Sequence, residues 1–435
     1  MLAYQIRLAW KSLRRNPILS LLLVFAIGLG IAVSMTFVSA YAFLSGNPIP
    51  SMSDRLFHVQ VDGWNPQRPF DDDKPEEPPN QLTYRDATAL LASTIPTRQT
   101  VNFKSELTVH PAREGIRPYR EVVRLCRGDF FPMFAIPFRY GGPWSREEEA
   151  GAQVVVLSAA ANQKLFGGEN SVGRTLRLED RDFRVAGVLD RWRPLPKFYD
   201  TNNGPFDQPE EMFIPFGLTP QLGVFSAGNT SGWGNCGTNF EEFLQSECVW
   251  LQMWVQLDSP SQRDEYFAYL GAYAGEQKKL GRFGRPVNNR LRDVMAWLRF
   301  IEVVPPEARA LLIISLLFLL VCAVNLIGIL LGKFLARAPE VGVRRALGAS
   351  RRWVFTQHIV ECELVGLLGG LLGLALSLGG MRLIDRLFDT TFGFTLDVRL
   401  FGIGLGLALL AALVAGAYPA WRICRIEPAL HLKTQ

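Results

Sequence analysis

Residues 337–377 read RAPEVGVRRALGASRRWVFTQHIVECELVGLLGGLLGLALS. The first part is short and basic, and the second is apolar and rich in glycine. Pro339 suits the first turn of a helix, Glu340 suits its positive end, and Arg344 with Arg345 suits its last turn. Gly348 ends that helix. Ser350 can then cap a second helix that begins with Arg351 and runs into the uncharged stretch 364–381. A short capped helix held between two membrane segments is a rigid lever, and its charged face could receive a push from a partner.

The rest of the chain supplies the membrane around this elbow. It has 435 residues, 48% hydrophobic and only 20% charged, which is too apolar on average for an ordinary soluble enzyme. A bilayer core about 30 Å thick is crossed by roughly 20 apolar helical residues. Besides 364–381, the stretches 18–44, 310–332 and 400–421 meet that test. The first is too long to be the apolar part of a cleaved signal peptide, which is about 7 to 15 residues. The expected order is an amphipathic helix at 1–16, a first span and stalk at 17–45, an external mixed α+β domain at 46–308 and a second span at 309–333. An elbow at 334–354, a third span at 355–381, a short external loop at 382–399, a fourth span at 400–421 and a tail at 422–435 complete it.

Orientation follows from Lys and Arg in short flanks, which stay in the cytoplasm. Residues 1–16 carry Arg7, Lys11, Arg14 and Arg15 without an acid, and residues 333–352 carry six basic residues against Glu340 alone. Both flanks, and with four crossings both termini, are expected in the cytoplasm, with residues 46–308 outside. The net charge of +5 is then topological and not the footprint of a nucleic-acid partner. The N-terminal helix places Leu2, Ile6, Ala9, Trp10 and Leu13 on one face and can lie along the membrane surface or simply fix topology.

Inside the spans, Gly366, Gly369, Gly370 and Gly373 thin one side of the third helix. Gly328 with Gly332, and Gly402 with Gly406, form GxxxG pairs. These glycines serve packing within the chain or dimerisation. Charge is nearly absent from the centres of the spans, which disfavours a polar translocation channel. Glu361 and Glu363 read as interfacial anchors compensated by Arg351, Arg352 and His358.

In the external region, 57–61, 154–157, 176–178, 183–189 and 249–257 are expected strands, and 83–91, 159–165 and 263–279 expected helices, with Ser158 as a cap. Residues 200–247 suggest an inserted subdomain with Phe216, Phe225, Trp233 and Phe240 as contact aromatics. Cys236 and Cys248 are spaced for a disulfide loop. Four histidines show no zinc-ligand spacing, no metal site is expected, and no nucleophile or acid–base set has a recognisable spacing. Gly328 to Lys333 has one residue too few between its glycines for a Walker A loop, so ATP hydrolysis is not expected from this chain.

The elbow Glu340-Val341-Gly-Val-Arg344-Arg345-Ala346-Leu347-Gly348-Ala349-Ser350-Arg351 resembles the E-I-G-I-R-R-A-L-G-A-S-R loop of the FtsX-like permease family, especially its MacB-like members. Residues 417–422 (AYPAWR) and 426–430 (IEPAL) resemble that family's ending. Residues 154–189 resemble its periplasmic segment built around L-F-G, V-G-x-x-L and V-x-G-V. The resemblance implies a non-catalytic ABC-transporter permease subunit of the bacterial inner membrane, with its elbow as the coupling site. It implies a second permease chain, identical or paralogous, and a separate cytoplasmic ABC ATPase that binds the ATP and Mg. A periplasmic adaptor and an outer-membrane duct are further implied partners, beside membrane lipid. The expected function is export by mechanotransmission. An activating scaffold for an external enzyme and a lipoprotein-extraction permease are the alternatives.

Overall fold

Strands in residues 46–303 alternate their side chains between two apolar layers, because successive residues of a strand face opposite ways. In β5 (Val154–Leu157), Val155 and Leu157 join one layer while Val154 and Val156 join the other. The same split separates Met253 and Val255 from Trp254 in β9 (Gln252–Gln256). The computed structural model describes residues 2–113, 115–387 and 398–425. The chain divides into two compact units, Gly46–Val303 and the helical remainder.

The described strands of the first unit form one mixed sheet. The others are β1 (Leu56–Gln60), β2 (Arg98–His110), β3 (Tyr119–Cys126), β4 (Phe138–Gly141), β6 (Thr175–Leu178), β7 (Arg181–Leu189), β8 (Met212–Pro215) and β10 (Arg290–Asp293). Their order is β10-β1-β9-β2-β3-β8-β5-β7-β4, with β6 pairing β2 and β7. β3 with β8 and β5 with β7 are parallel, and the other pairs antiparallel. Helix Ala159–Phe166 begins at the Ser158 cap, whose hydroxyl accepts from Ala161 N at 2.9 Å. Helix Pro260–Lys279 starts earlier than expected because Ser259 caps it, and it buries Tyr266, Leu270 and Ala274 against the sheet.

Two expectations about this unit are corrected. Residues 200–247 do not fold apart: β8 lies inside the main sheet between β3 and β5. Of the proposed contact aromatics, Phe216 is buried and Phe240 packs partly against the core, so only Phe225 and Trp233 are exposed. Cys236 and Cys248 are joined by a disulfide.

The second unit contains four helices long and apolar enough to cross a membrane. They are Pro17–Leu44, Pro306–Leu335, Arg351–Leu387 and Val398–Cys424. Pro17 and Pro306 open the first and second, where the missing N–H costs nothing. The third span and the helix capped at Ser350 are one continuous rod.

The glycines of the third span serve two neighbours, not one side. A Cβ on Gly373 would lie 2.6 Å from Gly28 O and one on Gly369 would lie 2.8 Å from Ile27, both on the first span. On Gly366 and Gly370 it would lie 2.5 Å from Ala412 and 2.7 Å from Ala408, on the fourth. Between these spans, Thr36 Oγ1 and Ser377 Oγ are 3.1 Å apart; Ser34 Oγ donates to Ser315 O on the second span at 2.8 Å. Gly328, Gly332, Gly402 and Gly406 meet nothing of this kind within 4 Å. Part of the expected 382–399 loop, the 426–430 motif and most of the tail lie outside the described residues.

Candidate functional site

The elbow helix spans Ala338–Ala346 and is braced from three sides. Val341 is buried among Leu13, Phe334 and Val354. Arg344 bonds Glu340 at 2.7 Å one turn back and Gln357 at 3.3 Å on the third span. Arg345 donates to Cys424 O at 3.1 Å, at the end of the fourth. Glu340 is also 3.5 Å from Arg15. After the helix, Gly348 takes φ +102°, which glycine adopts without strain, and Ser350 Oγ accepts from Trp353 N at 3.2 Å.

The expected coupling residues differ in exposure. Arg344 and Arg345 are half-buried and spend their donors inside the unit. Ala349 is partly buried against the same core. The surface is offered instead by Val343, Ala346, Leu347, Gly348 and Arg351, with Leu347 84% exposed. Leu347, the residue that follows the helix, thus presents an apolar side chain at its end.

Beneath the elbow lies a polar interlock that sequence reasoning placed wrongly. Glu361 is paired with Lys333 at 2.6 Å and Arg337 at 3.6 Å, not with Arg351, Arg352 or His358. Ser12, on the N-terminal helix Leu2–Arg15, donates to Glu361 and accepts from Arg337. Gln5 of that helix reaches Thr356 Oγ1 at 3.1 Å. The helix therefore packs on the third span through Gln5, Ala9 and Leu13, and leaves Ile6 and Trp10 exposed. A cavity of about 210 Å³ lies at this junction, and its lining includes Lys11, Glu340 and His358. The available signal was Lys333 and Glu361, of opposite sign, each at the edge of an apolar segment.

Residues 20–273 match the model of the MacB-like periplasmic core domain, and residues 312–428 match that of the FtsX-like permease C-terminal domain. The chain belongs to the MacB-like, FtsX-like ABC transporter permease family. The permease is 25% identical over 446 residues to the macrolide export ATP-binding/permease protein MacB of Escherichia coli, covering 97% of this chain and 59% of that protein. It is 25% identical over 326 residues to the pyoverdine export ATP-binding/permease protein PvdT of Pseudomonas aeruginosa, covering 74% and 44%. For MacB of Syntrophobacter fumaroxidans the figures are 25% over 321 residues, 66% and 44%. The permease thus spans about half the length of the curated relatives it matches.

Among solved structures, the periplasmic region of MacB from Actinobacillus actinomycetemcomitans aligns with a TM-score of 0.35 at 16% identity, covering 58% of this chain and 94% of that one. The extracellular domain of the transporter YknZ from Gram-positive bacteria aligns with a TM-score of 0.33 at 14% identity, covering 55% and 100%. The permease has four apolar helices and a mixed α/β domain of periplasmic type between the first and second.

Proposed function

We propose that this permease converts ATP binding and hydrolysis on a separate ABC ATPase subunit into movement of its large domain, driving export without a cargo path through the spans. The ATPase holds the ATP and magnesium, and docks at the elbow, which with the N-terminal helix lies on the cytoplasmic side. A second permease chain completes the transporter in the inner membrane. A periplasmic adaptor and an outer-membrane duct would carry cargo onward. The observation that supports this reading is the elbow helix itself, held to the second, third and fourth spans with Val343 and Leu347 left exposed. A push on Leu347 is resisted by Val341, Arg344 and Arg345 and so passes into those spans. The relatives' names, export ATP-binding/permease proteins, support the same reading.

Leu347→Asp in the full chain, co-expressed with its ATPase, tests it. The expected result is loss of ATPase co-purification with an unchanged thermal midpoint of the permease in detergent. Undiminished association and export in that variant would remove the elbow from the docking surface.

A further inference from the structure

A groove of about 580 Å³ opens between the start of the first span and the end of the second. Its rim and its depth differ in chemistry. At the rim stand Arg15 and Asn16, just ahead of Pro17, with Lys333 and Arg337 at the end of Pro306–Leu335. Both are basic ends of candidate spans, where the headgroups of one leaflet would lie. Deeper in, the lining is Leu19, Ile329, Gly328 and Gly332. Gly328 is five residues before Lys333, about 7 Å further along the helix axis. Neither glycine has a neighbour within 4 Å of where its Cβ would be, so the helix surface there is open.

The groove's lining also carries a net positive charge. Arg15, Lys333 and Arg337 line it together with one carboxylate, Glu340; Arg15 is paired with Glu340, and Lys333 and Arg337 are paired with Glu361. The Lys333 side chain is 1% exposed. Its ammonium touches Glu361 at 2.6 Å without hydrogen-bond geometry and has no hydrogen-bond partner among the described residues. Three cations against one carboxylate leave the lining two positive charges in excess, which favours an anion.

From this order of charge outside and apolar surface inside, we infer that the groove is a binding site for one anionic phospholipid of that leaflet. Its phosphate sits among Arg15, Lys333 and Arg337, and an acyl chain lies along Gly328 and Gly332. The lipid would fasten the first span to the second beside the elbow, so its occupancy would stiffen the lever.

Native mass spectrometry of the full chain in detergent tests the site, with dioleoylphosphatidylglycerol compared against dioleoylphosphatidylcholine. Two excess cations correspond to a preference of about thirtyfold for the anionic lipid, at one lipid per chain. Arg15→Gln with Arg337→Gln should erase the preference. Gly332→Leu covers the open glycine surface while keeping every cation, and should abolish retention with the thermal midpoint unchanged. Equal retention of the two lipids by the wild type would overturn the inference, as would phosphatidylglycerol retained by Gly332→Leu. Displacement by millimolar inorganic phosphate would assign the cations to a free anion instead. A disulfide between two Gly328→Cys chains that forms undiminished in excess phosphatidylglycerol would give the groove to a second copy.

Discussion

Lys333 Nζ lies 2.6 Å from the Glu361 carboxylate, with both side chains at most 4% exposed, and the pair ties the end of the second span to the third. Burying two charges is costly, and their attraction offsets that cost only while both are present. Glu361→Gln leaves Lys333 buried with Arg337 as a like-charged neighbour, and should destabilise the chain by about 3 kcal/mol. Glu361→Leu with Lys333→Met removes both charges and should recover most of that loss. Thermal midpoints in detergent check this, and a double variant no more stable than Glu361→Gln would show that the pair is not the source.

Close approach of helices makes the second prediction. Gly373 faces the backbone of Gly28, whereas Gly406 faces open space. Gly373→Val must push the first span away and should cost about 1 to 3 kcal/mol, the range for overpacked interiors. Gly406→Val should leave the midpoint unchanged. Equal midpoints for the two variants would mean that the first and third spans can separate freely.

His58 supplies a pH dependence. It is fully buried, stacks on Trp297 at 3.7 Å, meets Trp254 edge-on and has neither ring nitrogen hydrogen-bonded among the described residues. Burial, helped by the Arg292 charge, pushes it down to about 3 from an ordinary 6.5. The folded chain therefore refuses a proton that the unfolded chain accepts. Stability is full above pH 6.5 and falls as pH drops toward 3, by about 2 kcal/mol between pH 7 and pH 5. Denaturant midpoints followed by tryptophan fluorescence should show this slope in the wild type and lose it in His58→Phe.

Apolar periodicity carried the four spans, the elbow, its Gly348 stop and its Ser350 cap, because helices in lipid and their ends leave local marks. Strands β1, β5, β6 and β7 were legible for the same reason. The β2–β3 hairpin was not read: β2 does alternate, with Lys104 and Glu106 between buried Phe103, Ser105 and Leu107, but Glu121 breaks the pattern in β3. Glu106 faces Arg120 at 3.3 Å. β8 was hidden for lack of length, with four residues in an otherwise polar stretch. At the site, the elbow's residues were readable but not their division of labour, since Arg344 and Arg345 are recognised as braces only when Gln357 and the Cys424 carbonyl are brought beside them.

Arg124, in β3, shows how much such distant partners matter. Its guanidinium is fully buried and donates to Glu210 at 2.8 Å, to Asn102 at 2.5 Å and to Asp200. Lys197 and Tyr199 complete the shell of Glu210, each at 3.2 Å. Burial alone would raise the Glu210 pKa, but the Arg124 charge outweighs it and holds the carboxyl well below the ordinary range. A depressed folded pKa contributes stability that is present above the ordinary value of 4.5 and lost as pH falls below it. Arg124→Met keeps the bulk but leaves the buried Asp200 without a cation and Glu210 with only Lys197 and Tyr199, and should cost about 3 to 5 kcal/mol at neutral pH. Because protonating the stranded acids now relieves the fold, the variant's deficit should shrink between pH 7 and pH 4. Adding Asp200→Asn and Glu210→Gln should do the same without acid. Denaturant midpoints across that range decide it: a deficit that stays constant with pH would mean that Arg124 acts through packing rather than charge.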